Sequence, residues 1–310
     1  MTLRIGVDVG GTSIRLRPFP GPAELRIEAE TGATGPEAVG ERIGYLLDRL
    51  VLQTGPPAEI GIGVPGQVDP RAGTVRHAVN LGIDGVPYPL GPRLAERFGI
   101  PVHVENDVRA AALGAFHHIA SDRPDLESLV YLSAGTGVSA GVVLHRRLHR
   151  GRQGIAGEIG HSPLGGDDLP CPCGLYGCLE AIAGGRSLEQ RVTEGPKALF
   201  GDPSPAPTER DRVVDALARA LRVLAAAYDP DVLVLGGSIG LDAAPLVREV
   251  LAGTSSTSPF GAVVLSPDRL TTLPPDADIG VAGAARLGEE PPGLLAPDTN
   301  AASAEGGRRP

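Results

Sequence analysis

Tryptophan is absent from the 310 residues, methionine appears once, and aromatic side chains make up only 3%. The core must therefore be assembled from Val, Leu, Ile and Ala. With 42% hydrophobic residues there are enough of these for one large core or two linked ones. No apolar run reaches the ~18 residues of a membrane-spanning helix. The chain enters the strand-like Leu3 to Val9 at once, without the basic stretch and apolar segment of a secretory leader, so no membrane partner and a cytoplasmic location are expected. Basic residues are in the minority, 28 Lys and Arg against 37 Asp and Glu, for a net charge of -9. That argues against a nucleic-acid partner, whose phosphates demand concentrated cations, and favours a small substrate. Cysteine occurs three times, always between 171 and 178. An odd, tightly clustered set does not suit a disulfide framework and suits a metal better.

What is present reads as α/β. Leu3 to Val9 predicts a strand, the glycines after it a turn, Ile14 to Phe19 a second strand and Glu24 to Glu30 a third. Val39, Ile43, Leu46, Leu47 and Leu50 recur at helical spacing and predict a helix over 36–53. Residues 59–66 read as a buried strand, 90–98 as a short helix, and 101–104 as a strand whose end carries Glu105, Asn106 and Asp107, followed by an Ala-rich helix over 108–119. Residues 128–144 then repeat the opening pattern of strand, glycine turn and strand. Gly135 follows Gly10 by 135 − 10 = 125 positions, which fits an internal duplication and equally two unrelated hairpins. The Gly-rich stretch 150–187 holds every cysteine and reads as a loop ordered by something other than a core. A helix at 208–228, a strand within 231–240 running into a glycine turn, a helix at 242–252, a strand at 262–265 and a last helix at 279–287 complete the ordered chain. From Glu289 on there is no periodicity, and disorder is expected.

Three constellations carry chemistry. In the first turn, Gly10 and Gly11 free backbone N–H groups to point into one concavity, Thr12 and Ser13 add hydroxyls, and Asp8 stands at the strand end where Mg2+ or water would sit beside phosphates. Gly135, Thr136 and Gly137 form a second such turn, and Gly236 and Gly237 allow close approach of an adenosine. A plain bend explains each turn taken singly. At the second constellation, Asn106 and Asp107 lie where a strand ends and a helix begins, the usual place for α/β active sites. An Asp there can accept a proton from a hydroxyl attacking phosphorus, with the Asn orienting the acceptor; either residue can instead cap the helix. The third is His161 with Cys171, Cys173 and Cys178, one imidazole and three thiols, the tetrahedral set of a closed structural Zn2+ site. Glu158 and Glu180 flank it, placed to accept hydrogen bonds from sugar hydroxyls or, as is common for glutamate, to stand as solvated surface charges.

These segments resemble the ROK family of repressors, open reading frames and sugar kinases. The resemblance runs from about residue 3 to 287, through DVGGT, VENDVRAAALGA, YLSAGTGVSAGVV, GEIGH and CPCGLYGCLE. It implies the actin-like ATPase (ribonuclease H-like) fold, a duplicated α/β unit with the active site in a cleft between lobes. The expected division is a small lobe over 1–118 with helix 279–288 packing back on it, a large lobe over 119–278 containing the zinc loop, and a tail over 289–310. The resemblance further implies Asp107 as general base and sugar contacts from Gly66, Asn80, Asn106, Asp107, Glu158, His161 and Glu180, with His161 serving both zinc and sugar. ATP with Mg2+ would be the donor and Zn2+ structural, in a homodimer or homotetramer.

Two positions depart from the family pattern. Arg109 stands where Asn is common, and no aromatic follows the Asn80-Leu81 pair. Both concern the edge of the sugar pocket. Glucose, phosphorylated at its 6-hydroxyl, is the leading expectation, with N-acetylmannosamine, fructose, allose or mannose as alternatives. A sugar-sensing regulator is less expected, because only two residues stand before the first strand where a DNA-binding domain would be.

Overall fold

The computed structural model describes residues 2–164, 169–257 and 267–291. Its first sheet begins with β1 (Arg4–Val9), β2 (Ser13–Phe19) and β3 (Ile27–Glu30), an antiparallel meander. Helix α1 (Pro36–Thr54) leads to β4 (Glu59–Val64), which pairs parallel to β1. A separate ribbon of β5 (Gln67–Asp69) and β6 (Thr74–Arg76) and a helix α2 (Leu90–Phe98) precede β7 (Val102–Asn106), parallel to β4. The order is β3-β2-β1-β4-β7. Residues 24 and 25, expected within the third strand, belong instead to a short 3-10 turn over Ala23–Leu25.

After α3 (Asp107–Ala120) the plan repeats. β8 (Leu129–Ala134), β9 (Val138–Leu144) and β10 (Arg147–Leu148) make a second meander. Beyond the cysteine loop come α4 (Leu179–Ala183), α5 (Gly185–Glu189) and α6 (Pro207–Tyr228). β11 (Val232–Gly236) then joins β8, α7 (Ser238–Thr257) follows, and β12 (Leu270–Thr271) pairs parallel to β11, giving the order β10-β9-β8-β11-β12. The repeated glycine hairpin was thus the visible part of a repeated five-stranded sheet, the two-lobed actin-like ATPase fold. Helix α7 starts at Ser238, not at 242, because Gly237 alone turns the chain, at a φ of 76° that an L side chain rarely adopts. The strand expected over 262–265 lies outside the described residues.

Each sheet has its own aliphatic core. Val39, Ile43, Leu46, Leu47 and Leu50 of α1 close over the first, as their spacing predicted, while Val213, Leu217, Leu221 and Leu224 of α6 cover the second. A third cluster unites them: Ala110 to Phe116 of α3 pack with Leu129, Tyr131, Val143 and Val234 of the second sheet. Helix α3 also meets β4 and β7, so it lies between the sheets and is buried on nearly every side. Against it runs α8 (Ile279–Ala284), which touches β1 and β4 as well. The approach is close enough that a Cβ would strike backbone at four glycines: Gly6 at the Val281 carbonyl, Gly61 at Ala284, Gly114 at Ile279 and Gly283 at Ala110. The chain stays ordered past the expected start of the tail, because Glu289 pairs with Arg4 and Arg286 and Glu290 accepts from the Leu148 amide at 3.0 Å. Residues 292–310 lie outside the described residues.

Candidate active site

A cleft of about 510 Å3 opens where strands of both sheets end. From the first half come Gly10, Gly11 and Thr12 after β1, Gly66 after β4, Asn80, and Asn106 and Asp107 at the end of β7. From the second come Gly135, Thr136 and Gly137 after β8, with Glu158, His161 and Glu180. The topology brings these thirteen sequence-predicted residues together. Asp8, Ser13, Gly236 and Gly237 stand behind the lining. Asp8 is ion-paired with Arg15, and burial pushes its carboxyl up. The Ser13 carbonyl closes the first turn by accepting from Gly10 N at 2.8 Å. Sequence reading missed Gln67, His77, Ser133, Ser139 and Ile155, which also line the cleft. Ser133 and Ser139 flank the second turn, a signal that was available; the others follow no pattern.

At the strand–helix junction the two neighbouring polar residues divide the work. Asn106 is the cap: its Oδ1 accepts from Val108 N and Arg109 N at 3.1 and 3.2 Å, and its Nδ2 donates to the Gly66 carbonyl at 3.2 Å. Gly66 can take that place only as glycine, because a Cβ would sit 2.8 Å from both Arg76 O and Ala78 N. Asp107 is left at the first helical position, lining the cleft. Burial, helped by the nearby Asp8 carboxylate, pushes it up to about 7. Behind it Glu105 is fully buried and held by two guanidinium groups, Arg109 Nε at 2.7 Å and Arg150 Nε at 2.5 Å. Burial alone would raise Glu105; the two arginines reverse that and hold it below its usual value.

The second turn is fastened by residues that follow the cysteine loop. Glu180 Oε2 accepts from Val138 N at 2.9 Å, Gly185 N donates to Gly135 O at 2.8 Å, and Arg186 N donates to Thr136 O at 3.1 Å. Arg186 also reaches the opposite wall, giving Asn80 Oδ1 a hydrogen bond of 2.6 Å. On the outer side of this turn a further cavity of about 370 Å3 is lined by Gly135, Thr136, Gly185, Lys197, Ser238 and Ile239, among others. Gly237, expected there, instead supports Gly135 from behind.

The ligand atoms of His161, Cys171, Cys173 and Cys178 all lie within 4.8 Å of one another. Cys171 Sγ is 3.7 Å from His161 Nδ1, and Cys173 Sγ is 3.8 Å from Cys178 Sγ. A tetrahedron of zinc–sulfur bonds of about 2.3 Å has edges of about 3.8 Å. The crowding has an electrostatic counterpart, since burial and the neighbouring thiols push Cys178 up to about 12. Three thiolates need a cation among them, so the donor set fits Zn2+. His161 turns Nδ1 to the sulfurs and lines the cleft as well. Glu158, beside it, has its carboxyl pushed up by burial, an effect opposed by the charges of Arg109 and His161.

The model of the ROK family matches residues 4–287. The glucokinase of Thermotoga maritima is 35% identical over 263 residues, covering 76% of this chain and 81% of its own. Among solved structures, the ROK hexokinase from Thermus thermophilus superposes with a TM-score of 0.72 at 33% identity, covering 92% of this chain and 97% of its own. A ROK glucokinase from Streptomyces griseus, solved with glucose and AMPPNP, gives 0.65 at 28% identity, covering 92% and 98%. Matched from its first strand to its last helix, this chain belongs to the ROK family.

Proposed function

We propose that this protein is an ATP-dependent hexokinase that transfers the γ-phosphoryl group of MgATP to the 6-hydroxyl of glucose. The observation that carries the reading is Asp107, a half-buried carboxylate at about 7 in a cleft walled by two glycine turns. A base at that value is ionised in about half of the molecules at neutral pH, yet basic enough to take a hydroxyl proton as the bond to phosphorus forms. The turns offer backbone N–H groups to the phosphates, and Glu158, His161 and Glu180 accept from or donate to sugar hydroxyls. The adenosine lies in the adjoining cavity beside Ser238 and Lys197. Zinc, bound by His161 and the three cysteines, orders the loop and supplies no step of the transfer. Closing the cleft on sugar excludes water, so ATP is not hydrolysed in its absence. The likeness to kinases named for glucose supports that sugar first.

A coupled ADP-release assay across glucose, mannose, fructose, allose and N-acetylmannosamine tests the reading. Glucose should give the highest kcat/KM, and activity should rise with pH through about 7 as Asp107 ionises. Turnover of another hexose alone would reassign the substrate, and no turnover of any would sink the kinase.

A further inference from the structure

Arg109 is 2% exposed, on the first turn of α3, two residues beyond Asp107. Its Nε donates to Glu105, and its Nη1 donates to the Gly154 carbonyl at 2.7 Å. Its Nη2 is buried without a hydrogen-bond partner. A buried guanidinium N–H group left unmade is rare and unfavourable, and such a group persists where something that arrives later takes it. The rest of the neighbourhood is balanced. Glu105 is shared with Arg150, whose Nη1 lies 3.8 Å from Glu290, so two cations face two carboxylates. The spare donor is therefore surplus to the network that holds it.

The loop bound by Nη1 leads directly to the cleft, because Gly154 stands four residues before Glu158. Arg109 is also the cation whose field acts most strongly on the Glu158 carboxylate. Strand β9 seals the region from the other side: a Cβ on Gly141 would meet the Ala112 side chain and the Val108 carbonyl. We propose that Arg109 is a positioning residue for the sugar site: clamped by Glu105 and Gly154, it keeps its remaining N–H group as the donor that fixes the Glu158 carboxylate when a sugar binds. A lysine cannot do this, because one ammonium does not hold a carboxylate, a carbonyl and a second carboxylate in a planar fork. The inference rests on the kinase reading and assigns a determinant of sugar affinity within it.

The test compares the full-length, zinc-loaded wild type with Arg109→Met and Arg109→Lys. Sugar KM, MgATP KM, the pH profile of kcat/KM and thermal unfolding are measured for each. Both variants should raise the sugar KM by roughly tenfold or more, as loss of a hydrogen bond to a charged group does, with the MgATP KM unchanged. The titratable and charged groups around Asp107 are Asp8 from β1, Arg109 from its own helix, Tyr131 from β8, and His77, Glu158, His161 and Glu180 of the cleft lining. Arg109 is the cation that lowers it, so the ascending acid limb should move to higher pH in the Met variant and stay in the Lys variant. Should the Met variant not fold, the Lys variant decides through KM. A folded variant with the wild-type sugar KM overturns the role of Arg109, whatever its melting temperature. Absence of sugar phosphorylation by the wild type overturns the kinase reading instead, and this inference with it.

Discussion

The two sheets share a strand order, but their glycine turns are secured by different means. The first is tied to its own meander: Thr31 Oγ1 donates to Gly10 O at 2.7 Å and Thr31 N to Thr12 O at 2.9 Å, so β1 to β3 suffice to shape it. The second depends on a distant segment, since Glu180, Gly185 and Arg186 supply its fastenings. That segment begins at Cys178, the residue preceding α4. Two equivalent turns in a repeated plan are thus held differently, and under the zinc proposal one of them is conditional on a segment that leaves the cysteine loop. On the proposed function, the first half contributes the base, and the second contributes the part of the pocket that a metal would order.

The largest test of this division is Asp107→Ala. Loss of the base should cut turnover by roughly 10^2- to 10^4-fold, while calorimetry still detects sugar binding, because the second half is untouched. Near-normal turnover would return Asp107 to the status of a helix-start residue. Next in size is Cys178→Ser. Elemental analysis should find zinc lost, and the KM values for sugar and MgATP should both rise, by about 10- to 100-fold, since Glu180 links the metal loop to the second turn. If only the sugar KM moves, the two walls are independent of each other.

The sequence displayed the duplication and the metal loop well, because glycine turns and cysteine spacing are local patterns. It displayed the junction poorly. Asn106 and Asp107 are adjacent polar residues, and only the backbone direction at the end of β7 decides that the first caps and the second faces the cleft. Likewise the contact between Arg186 and Asn80 joins residues 106 apart, a distance no periodicity spans. Helix α3 gave an alanine-rich pattern without a polar face, and its position between two sheets is the reason.

A third test separates catalysis from stability. Asp107 has a folded value of about 7 against an ordinary 3.8, so the fold favours its protonated form. The resulting contribution is complete below pH 4 and is lost as pH rises through 7. At pH 8 the ionised side chain then destabilises the fold by up to about 4 kcal/mol, three pH units at about 1.4 kcal/mol each. Asp107→Asn should therefore melt higher than wild type at pH 8 and not at pH 4. Equal melting at both would remove the strained base from the first half. The smallest expected effect lies at the seam between the halves. Gly114→Val drives a side chain into the Ile279 carbonyl and should reduce stability by about 2–3 kcal/mol in urea unfolding, with sugar KM preserved.

That seam also orders events in time. Gly6 and Gly61, near the start of the chain, are covered by Val281 and Ala284, close to its end. During synthesis at about 5–20 residues per second, the first sheet, complete at Asn106, leaves the ribosome with one face bare and waits for 279 − 106 = 173 residues more before its cover begins. The N-terminal lobe is thus first to be made and last to be finished. A chain arrested before residue 279 should recruit chaperones or aggregate through that open glycine-lined face, although the cleft residues from Gly10 to Glu180 are already present in it.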